Sequence, residues 1–403
     1  MSRRLLALAA LAAHAQNFDA ILETIKADQA WTLEQQIGIC QIPAPPFKET
    51  ERGKEFARRL ATHGLEDIRT DSEGNVISRW PGSKSPKPLI VFSAHLDTVF
   101  PEGMDVTVKR DGNKIKGLGI GDDCRGLASV LTVARAFHRH NATFNGTILF
   151  VGTVGEEGQG DLRGVRHLFN KELKGQIDAF ISVDGASNSL AARAVGSNRY
   201  LVTYKGRGGH SYGAFGMPNP AHAMGRAIAR IADIQVPASP KTTFNIGRVE
   251  GGTSVNSVPI SVSMEVDLRS ESAKELATLD ERLRAAFQHG LDAEQQRWPT
   301  SKAPLDLDIK TMGLRPAAEP PDSLPIVQKA LAAAKKVGVT IFATRAGSTD
   351  SNIPMSLGIP AITIGGGGNA QGAHSIDESY EETPDSYKGP QWAALILQAL
   401  TEK

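Results

Sequence analysis

Cysteine is scarce in this chain: Cys40 and Cys124 are the two among 403 residues. Nothing in their spacing indicates a bridge, so they read either as buried free thiols or as one pair in an exported protein. A surplus of charge is also lacking, with 45 Lys and Arg against 44 Asp and Glu. The net charge of +1 gives no electrostatic reason to expect nucleic acid or an anionic membrane surface as partner. No stretch reaches the ~20 consecutive apolar residues that a membrane span needs. Internal repeats and low-complexity segments are absent as well. What is present is an ordinary globular composition, 40% hydrophobic, over a length that suggests two domains or three at most.

The amino terminus carries an address. Met1-Ser2-Arg3-Arg4 precedes an apolar stretch from Leu5, followed by Ala13-His14-Ala15, which are the charged, apolar and A-x-A parts of a secretory signal. Residues 1–15 therefore read as a signal peptide and the protein as periplasmic or secreted, with a cytoplasmic protein as the alternative.

Helical spacing marks 18–27, 31–40 and 49–63, and Pro43-Ala44-Pro45-Pro46 breaks the pattern between the last two. Strands are expected at 75–79 and 89–93, a helix at 127–138, and strands at 147–153 and 179–183. This alternation predicts an α/β fold with a mostly parallel sheet covered on both faces. From about Tyr200 the pattern changes to strand, helix 220–234, strands 244–247 and 261–269, and helix 272–289. An inserted α+β module of ferredoxin-like type over 200–310 fits this change, leaving 16–199 and 311–403 as two parts of one domain. A helix at 324–337, a strand at 361–364 and a helix at 391–400 complete the chain.

The apolar run Thr147 to Gly155 ends in two adjacent carboxylates, Glu156 and Glu157. Apolar on both faces, it marks a buried strand whose carboxyl end is where α/β sheets place ligands. Neighbouring side chains at such an end point to different targets, so one glutamate could bind a metal while the other handles a proton. His95 and Asp97 follow another apolar run, and in an H-x-D triplet the aspartate can fix the tautomer of a ligating histidine. Asp122 and Asp123 close Gly117-Leu118-Gly119-Ile120-Gly121, a glycine loop that suits a cation, while Asp123 also suits a helix cap. Asp184 follows Ile181-Ser182-Val183, and His374 follows a long glycine-rich run. Singly, each of these reads as an ordinary turn or surface residue. Together, two histidines and three or more carboxylates at strand ends suit a pair of zinc ions ~3.5–4 Å apart that share a bridging carboxylate. Co²⁺ or Mn²⁺ can occupy similar donor sets.

Ser93-Ala94-His95-Leu96-Asp97-Thr98-Val99, the G-x-G-x-x-D of 117–122, Gly155-Glu156-Glu157, Val183-Asp184 and Gly372-Ala373-His374 occur in an order that resembles the co-catalytic di-zinc exopeptidases. That family includes peptidase T, glutamate carboxypeptidase, aminoacylase and succinyl-diaminopimelate desuccinylase. The resemblance runs from about His95 to Glu378. It implies that His95, Asp122 and Asp184 hold one zinc, that Asp122, Glu157 and His374 hold the other, and that Asp97 orients His95. Glu156 would be the general base, and the Asp122-Asp123 peptide bond would be cis. In the inserted module, Gly208-Gly209-His210-Ser211 resembles the lid histidine that helps stabilise the oxyanion. Asn256 and Arg269 resemble substrate contacts, the arginine for a substrate carboxylate. The same module would make a homodimer.

Two departures bear on substrate. Asp123-Cys124-Arg125 stands where the family often has Lys or Met-Lys, nearest to the Asp-Asp-Lys of peptidase T. Asp rather than Glu at position 184 leans towards aminopeptidases and dipeptidases. The expected activity is hydrolysis of the amide bond of small peptides, with N-acyl amino acids as the alternative substrates. A catalytically silent binding protein on the same fold would lose ligands or base, and this chain keeps them all.

Overall fold

The computed structural model describes residues 18–82 and 84–402. The expected signal peptide lies outside them. The chain divides into two compact units, one built from residues up to Arg193 and from Pro320 onwards, the other from Ala194–Glu319.

The first unit is organised on an eight-stranded sheet. Its centre is four parallel strands: β1 (Leu89–His95), β2 (Thr147–Thr153), β3 (Ala179–Val183) and β4 (Ala361–Ile364). β1 pairs with β2 and with β3, and β3 with β4. Antiparallel strands Val76–Arg79 and Glu66–Thr70 extend one side, and Leu190–Ala194 pairs antiparallel with β4 on the other. All seven residues of β2 are buried, so both faces of the sheet are covered, as its unbroken apolar run requires. Full burial of Ile148, Phe150 and Val151 stabilises by about 1.5–3 kcal/mol each. Phe92, Phe150 and Phe137 meet edge to face, fastening helix α3 (Cys124–Arg139) to the sheet. Helix α1 (Gln29–Cys40) packs on α3, and α2 (Thr50–Ala61) packs on the strand Val76–Arg79.

Three differences from the sequence reading matter for the site. β1 runs two residues beyond its expected end because His95 pairs with Thr153, which brings the carboxyl ends of β1 and β2 level. α3 begins at Cys124 rather than near 127, because Asp123 caps it by accepting the N–H of Gly126 at 3.0 Å. A small four-stranded sheet was not foreseen at all, its strands being only three residues each. It joins Asn369–Gln371, Ser379–Glu381, Lys114–Lys116 and Lys109–Asp111 in that order.

The second unit reads strand Gly196–Lys205, helix Pro220–Ala232, strands Thr242–Gly251 and Ser261–Ser270, helix Ala273–Arg297 and strand Asp306–Arg315. The four strands form one antiparallel sheet with Gly196–Lys205 and Ser261–Ser270 in the middle, the βαββαβ arrangement of ferredoxin-like folds. Val262, Met264, Val266 and Leu268 alternate into its core with period two. The unit starts before 200 and ends after 310 because the outer ends of its first and last strands continue to pair there.

Candidate functional site

Strand β1 delivers His95, which is 1% exposed. Its Nε2 lies 2.9 Å from Asp122 Oδ1. Nδ1 lies 3.1 Å from the backbone carbonyl of Asp97 and 3.6 Å from that residue's carboxylate. The tautomer is therefore set chiefly by a carbonyl. Asp97's carboxylate instead accepts the backbone N–H groups of Glu156, at 3.1 Å, and Glu157, at 2.8 Å. Buried Asp97 thus links the end of β1 to the turn after β2 and fixes the two glutamates. Burial raises its pKa, but His95 and these two N–H groups outweigh that and leave it lowered.

The Asp122-Asp123 bond is cis. Asp123, fully buried, accepts N–H bonds from His95, Gly126 and Gly185 at 3.0–3.1 Å, tying together the ends of β1 and β3 and the start of α3. Asp122 faces the opposite way, between His95 and His374, whose Nε2 lies 3.2 Å from Asp122 Oδ2 and 2.8 Å from Glu157 Oε1. In the loop before Asp122, Gly119 has φ +74°, a left-handed conformation that glycine adopts freely, and a Cβ on Gly121 would meet that of Ala370 at 2.5 Å.

His374 sits in the connection between Asn369–Gln371 and Ser379–Glu381, so the small sheet anchors it. That sheet also holds Lys114–Lys116, just before the 117–122 loop, which places both Asp122 and His374 on one short scaffold. Glu378 locks the two parts. Its carboxylate accepts the N–H groups of Gly119 and Gly121 at 2.9 Å and of Asp122 at 3.1 Å. Asp184 follows β3 and donates its N–H to Ile364 of β4 at 2.9 Å.

Three groups of donor atoms each lie mutually within 4.8 Å: His95, Asp122 and Asp184; Asp122, Glu157 and His374; and His95, Glu156 and Glu157. Asp122 is common to the first two. The electrostatics match a site built for cations. Burial, then the charge of Asp122, pushes the Asp184 carboxyl up to about 7. Hydrogen bonding to Asp122 and Glu157 raises His374 to about 10, and the carboxylates of Asp122 and Asp97 overcome burial to raise His95 well above its usual value. Carboxylates crowded in this way without a divalent ion must recruit protons. Nitrogen and oxygen donors at these positions fit a pair of borderline-hard divalent ions.

Sequence reasoning gave no role to Glu378 or Asp350. Glu378 is 1% exposed beside the strongly exposed Asp377, a contrast that one acidic stretch does not reveal. Asp350, also buried, accepts the Thr153 hydroxyl at 2.5 Å, and its charge helps raise Asp184. Cys40 and Cys124 are both free and buried.

In the second unit, His210 and Asn256 come together. Gly209–His210 pairs with Ser257–Val258, and Ser211 donates its N–H to the Asn256 carbonyl at 2.8 Å. His210 is exposed, and its Nδ1 accepts N–H bonds from Tyr212 and Gly213. Arg269 lies at the far end of Ser261–Ser270 from these two, with its Nε on Asp267 at 2.8 Å.

Fold and site together define a hydrolase of the peptidase and amidohydrolase class. A family model described as Peptidase family M20/M25/M40 matches residues 91–399, and the chain belongs to that family. It is 27% identical over 369 residues to YqjE of Bacillus subtilis, an alignment covering 87% of this chain and 93% of that protein. It is also 29% identical over 267 residues to the succinyl-diaminopimelate desuccinylase of Nitrosospira multiformis, covering 61% and 69%. A tripeptidase structure from Staphylococcus aureus superposes with a TM-score of 0.75 at 22% identity, covering 93% of this chain and 98% of that one. Among the described residues no helix is long and apolar enough to cross a membrane.

Proposed function

We propose that this protein is a two-metal exopeptidase that hydrolyses the amide bond of small peptides. The observation that carries the reading is the shared position of Asp122 in two donor sets, His95–Asp122–Asp184 and Asp122–Glu157–His374. In this reading His95, Asp122 and Asp184 would hold one Zn²⁺ ion and Asp122, Glu157 and His374 the other. Divalent ions bound there supply Lewis acidity, lowering the pKa of water and polarising the scissile carbonyl.

The chain's own residues do the rest. Asp97 holds the Glu156–Glu157 turn so that Glu157 faces His374 while Glu156 stays with the His95 group. Glu156 takes a proton from the attacking water and returns it to the leaving amine, a general acid–base role that burial favours by keeping the carboxylate away from bulk solvent. His210 donates to the developing oxyanion and Asn256 binds the carbonyl side of the substrate, while Arg269, at the far end of Ser261–Ser270, pairs with the carboxylate of a substrate in the other site of the homodimer. The inserted unit makes a homodimer, a role supported by the largely exposed strand Thr242–Gly251 at the edge of its sheet. The A-x-A pattern ending at Ala15 directs export.

Asp184 leans the substrate towards peptides with a free amine. N-acyl amino acids are the second reading, favoured by the similarity to a desuccinylase. Matched panels of free and N-acylated di- and tripeptides, assayed with Zn²⁺ and with chelator, separate the two. Chelator-sensitive hydrolysis of the free peptides is expected, and turnover of N-acylated substrates alone would transfer the assignment to an amidohydrolase.

A further inference from the structure

The first unit carries a second concentration of charge, opposite in sign to the carboxylate cluster and sharing no residue with it. Helices α1, α2 and α3 border a cavity of about 330 Å³ lined by Arg58, Arg59, Arg135, Arg139, His63 and His138, with Trp31 in its wall. That volume is at the low end of the ~300–1,000 Å³ usual for small-molecule sites.

Two carboxylates answer the four guanidiniums. Glu55 takes Arg58 and Arg59, and Asp28 takes Arg135 and Arg139. Four positive groups against two negative ones leave a local surplus in a chain that is otherwise almost neutral. Basic side chains in the last turn of a helix favour its negative end, which accounts for Arg58, Arg59, His138 and Arg139 one helix at a time. It does not account for Arg135, a turn earlier, whose guanidinium lies 4.5 Å from the centre of the Trp31 ring and bonds only through Nε among the described residues. Nor does it account for His63.

His63 is 7% exposed, lies edge-on to Trp31 at 5.3 Å, and has no ring hydrogen bond among the described residues. Burial, reinforced by Arg135, His138 and Arg139, pulls its pKa down to about 4. The cavity therefore presents a buried, neutral imidazole with no ring hydrogen bond among the described residues and guanidinium groups with spare donors, a setting that favours an anion.

We infer that this cavity binds a small oxyanion with two or more negative charges, of the phosphate or dicarboxylate class, gripped by the Nε–Nη2 fork of Arg139 and by Nη1 of Arg58, whose own fork is on Glu55, with Arg59 and Arg135 deeper in the wall. Arg58 and Arg139 are the more exposed of the four, with side chains 64% and 46% accessible, so they can reach an entering ligand and can be replaced without opening the core.

The test is isothermal titration of the intact, metal-loaded protein with sodium sulfate and, separately, sodium succinate, at constant ionic strength held with NaCl. Saturable binding of at least one anion is expected. Binding of sulfate points to a phosphate-class ligand and binding of succinate to a dicarboxylate. In the double variant Arg58→Gln/Arg139→Gln the dissociation constant should rise about tenfold or more, with amide hydrolysis in the absence of anion unchanged. Arg139→Lys, which keeps the charge but loses the fork, should fall between. Absence of saturable heat with both anions would overturn the inference. So would equal affinity in wild type and double variant, because the anion would then be bound elsewhere, such as among the proposed metal ligands.

Discussion

Glu378 accepts the backbone N–H of Asp122 at 3.1 Å, although 256 residues separate them. The same carboxylate takes Gly119 and Gly121, so three N–H groups of one turn converge on a single buried side chain. These bonds favour the ionised form, while burial leads in the other direction and leaves the group at about 7. Glu378 is a positioning residue: it touches no substrate but sets the backbone that carries Asp122.

Replacing it tests that role. Glu378→Gln keeps the shape but loses one acceptor oxygen, which leaves part of the 119–122 turn unsatisfied at a cost of about 1–3 kcal/mol. Metal affinity, measured by competition with a chromophoric chelator, is expected to fall about 10–100-fold, as for other outer partners of metal ligands. A purely structural role would lower Tm and leave metal affinity unchanged.

Asp184 is expected to trade stability for metal. Its carboxyl is buried beside Asp122, and its pKa is raised accordingly. Asp184→Asn should lower the affinity for one of the two ions by about 10–100-fold or more, read by metal counting after dialysis. The metal-free variant should melt no lower than the metal-free wild type, because the substitution relieves crowding among carboxylates. A full complement of tightly bound metal in Asp184→Asn would remove this residue from the ligand set.

Arg269 is bonded to Asp267, which also takes Arg199 at 3.2 Å. A substrate carboxylate must therefore compete with an existing partner. Arg269→Ala is expected to raise KM for acid substrates with little change in kcat, and to leave the matching amide substrates unaffected. Steady-state kinetics on acid and amide forms of one peptide reads the difference, and equal effects on both forms would leave Arg269 a purely structural role.

The parallel strands and the polar residues at their carboxyl ends were legible because unbroken apolar runs leave few alternatives to a buried strand. His95, Glu157 and Asp184 follow such runs, whereas Asp122 and His374 follow glycine-rich loops and joined the set only through the resemblance that the order of the motifs carries. The three-residue strands that anchor His374 were not legible, since so short a segment carries no period. Arg125 is the plainest case of context deciding a residue's meaning. In sequence it is a departure following Asp123-Cys124. In the fold it is fully buried, donates to the Gly366 carbonyl at 2.7 Å and the Ser386 carbonyl at 2.6 Å, and stacks over Tyr380. A planar fork with several donors meets those acceptors better than an ammonium. In sequence His210 and Asn256 are read separately, each from its own motif, and the pairing of Gly209–His210 with Ser257–Val258 that brings them together lies between segments too short to carry a period.

The division of labour between the adjacent glutamates is the centre of the account, and Glu156→Gln tests it most directly. The variant is to be metal-counted by atomic emission and assayed for kcat on the best peptide of the substrate panel. The account predicts two metal ions per chain, as in the wild type, with kcat lowered by about 10²–10⁴-fold. Near wild-type turnover with both ions bound would contradict it.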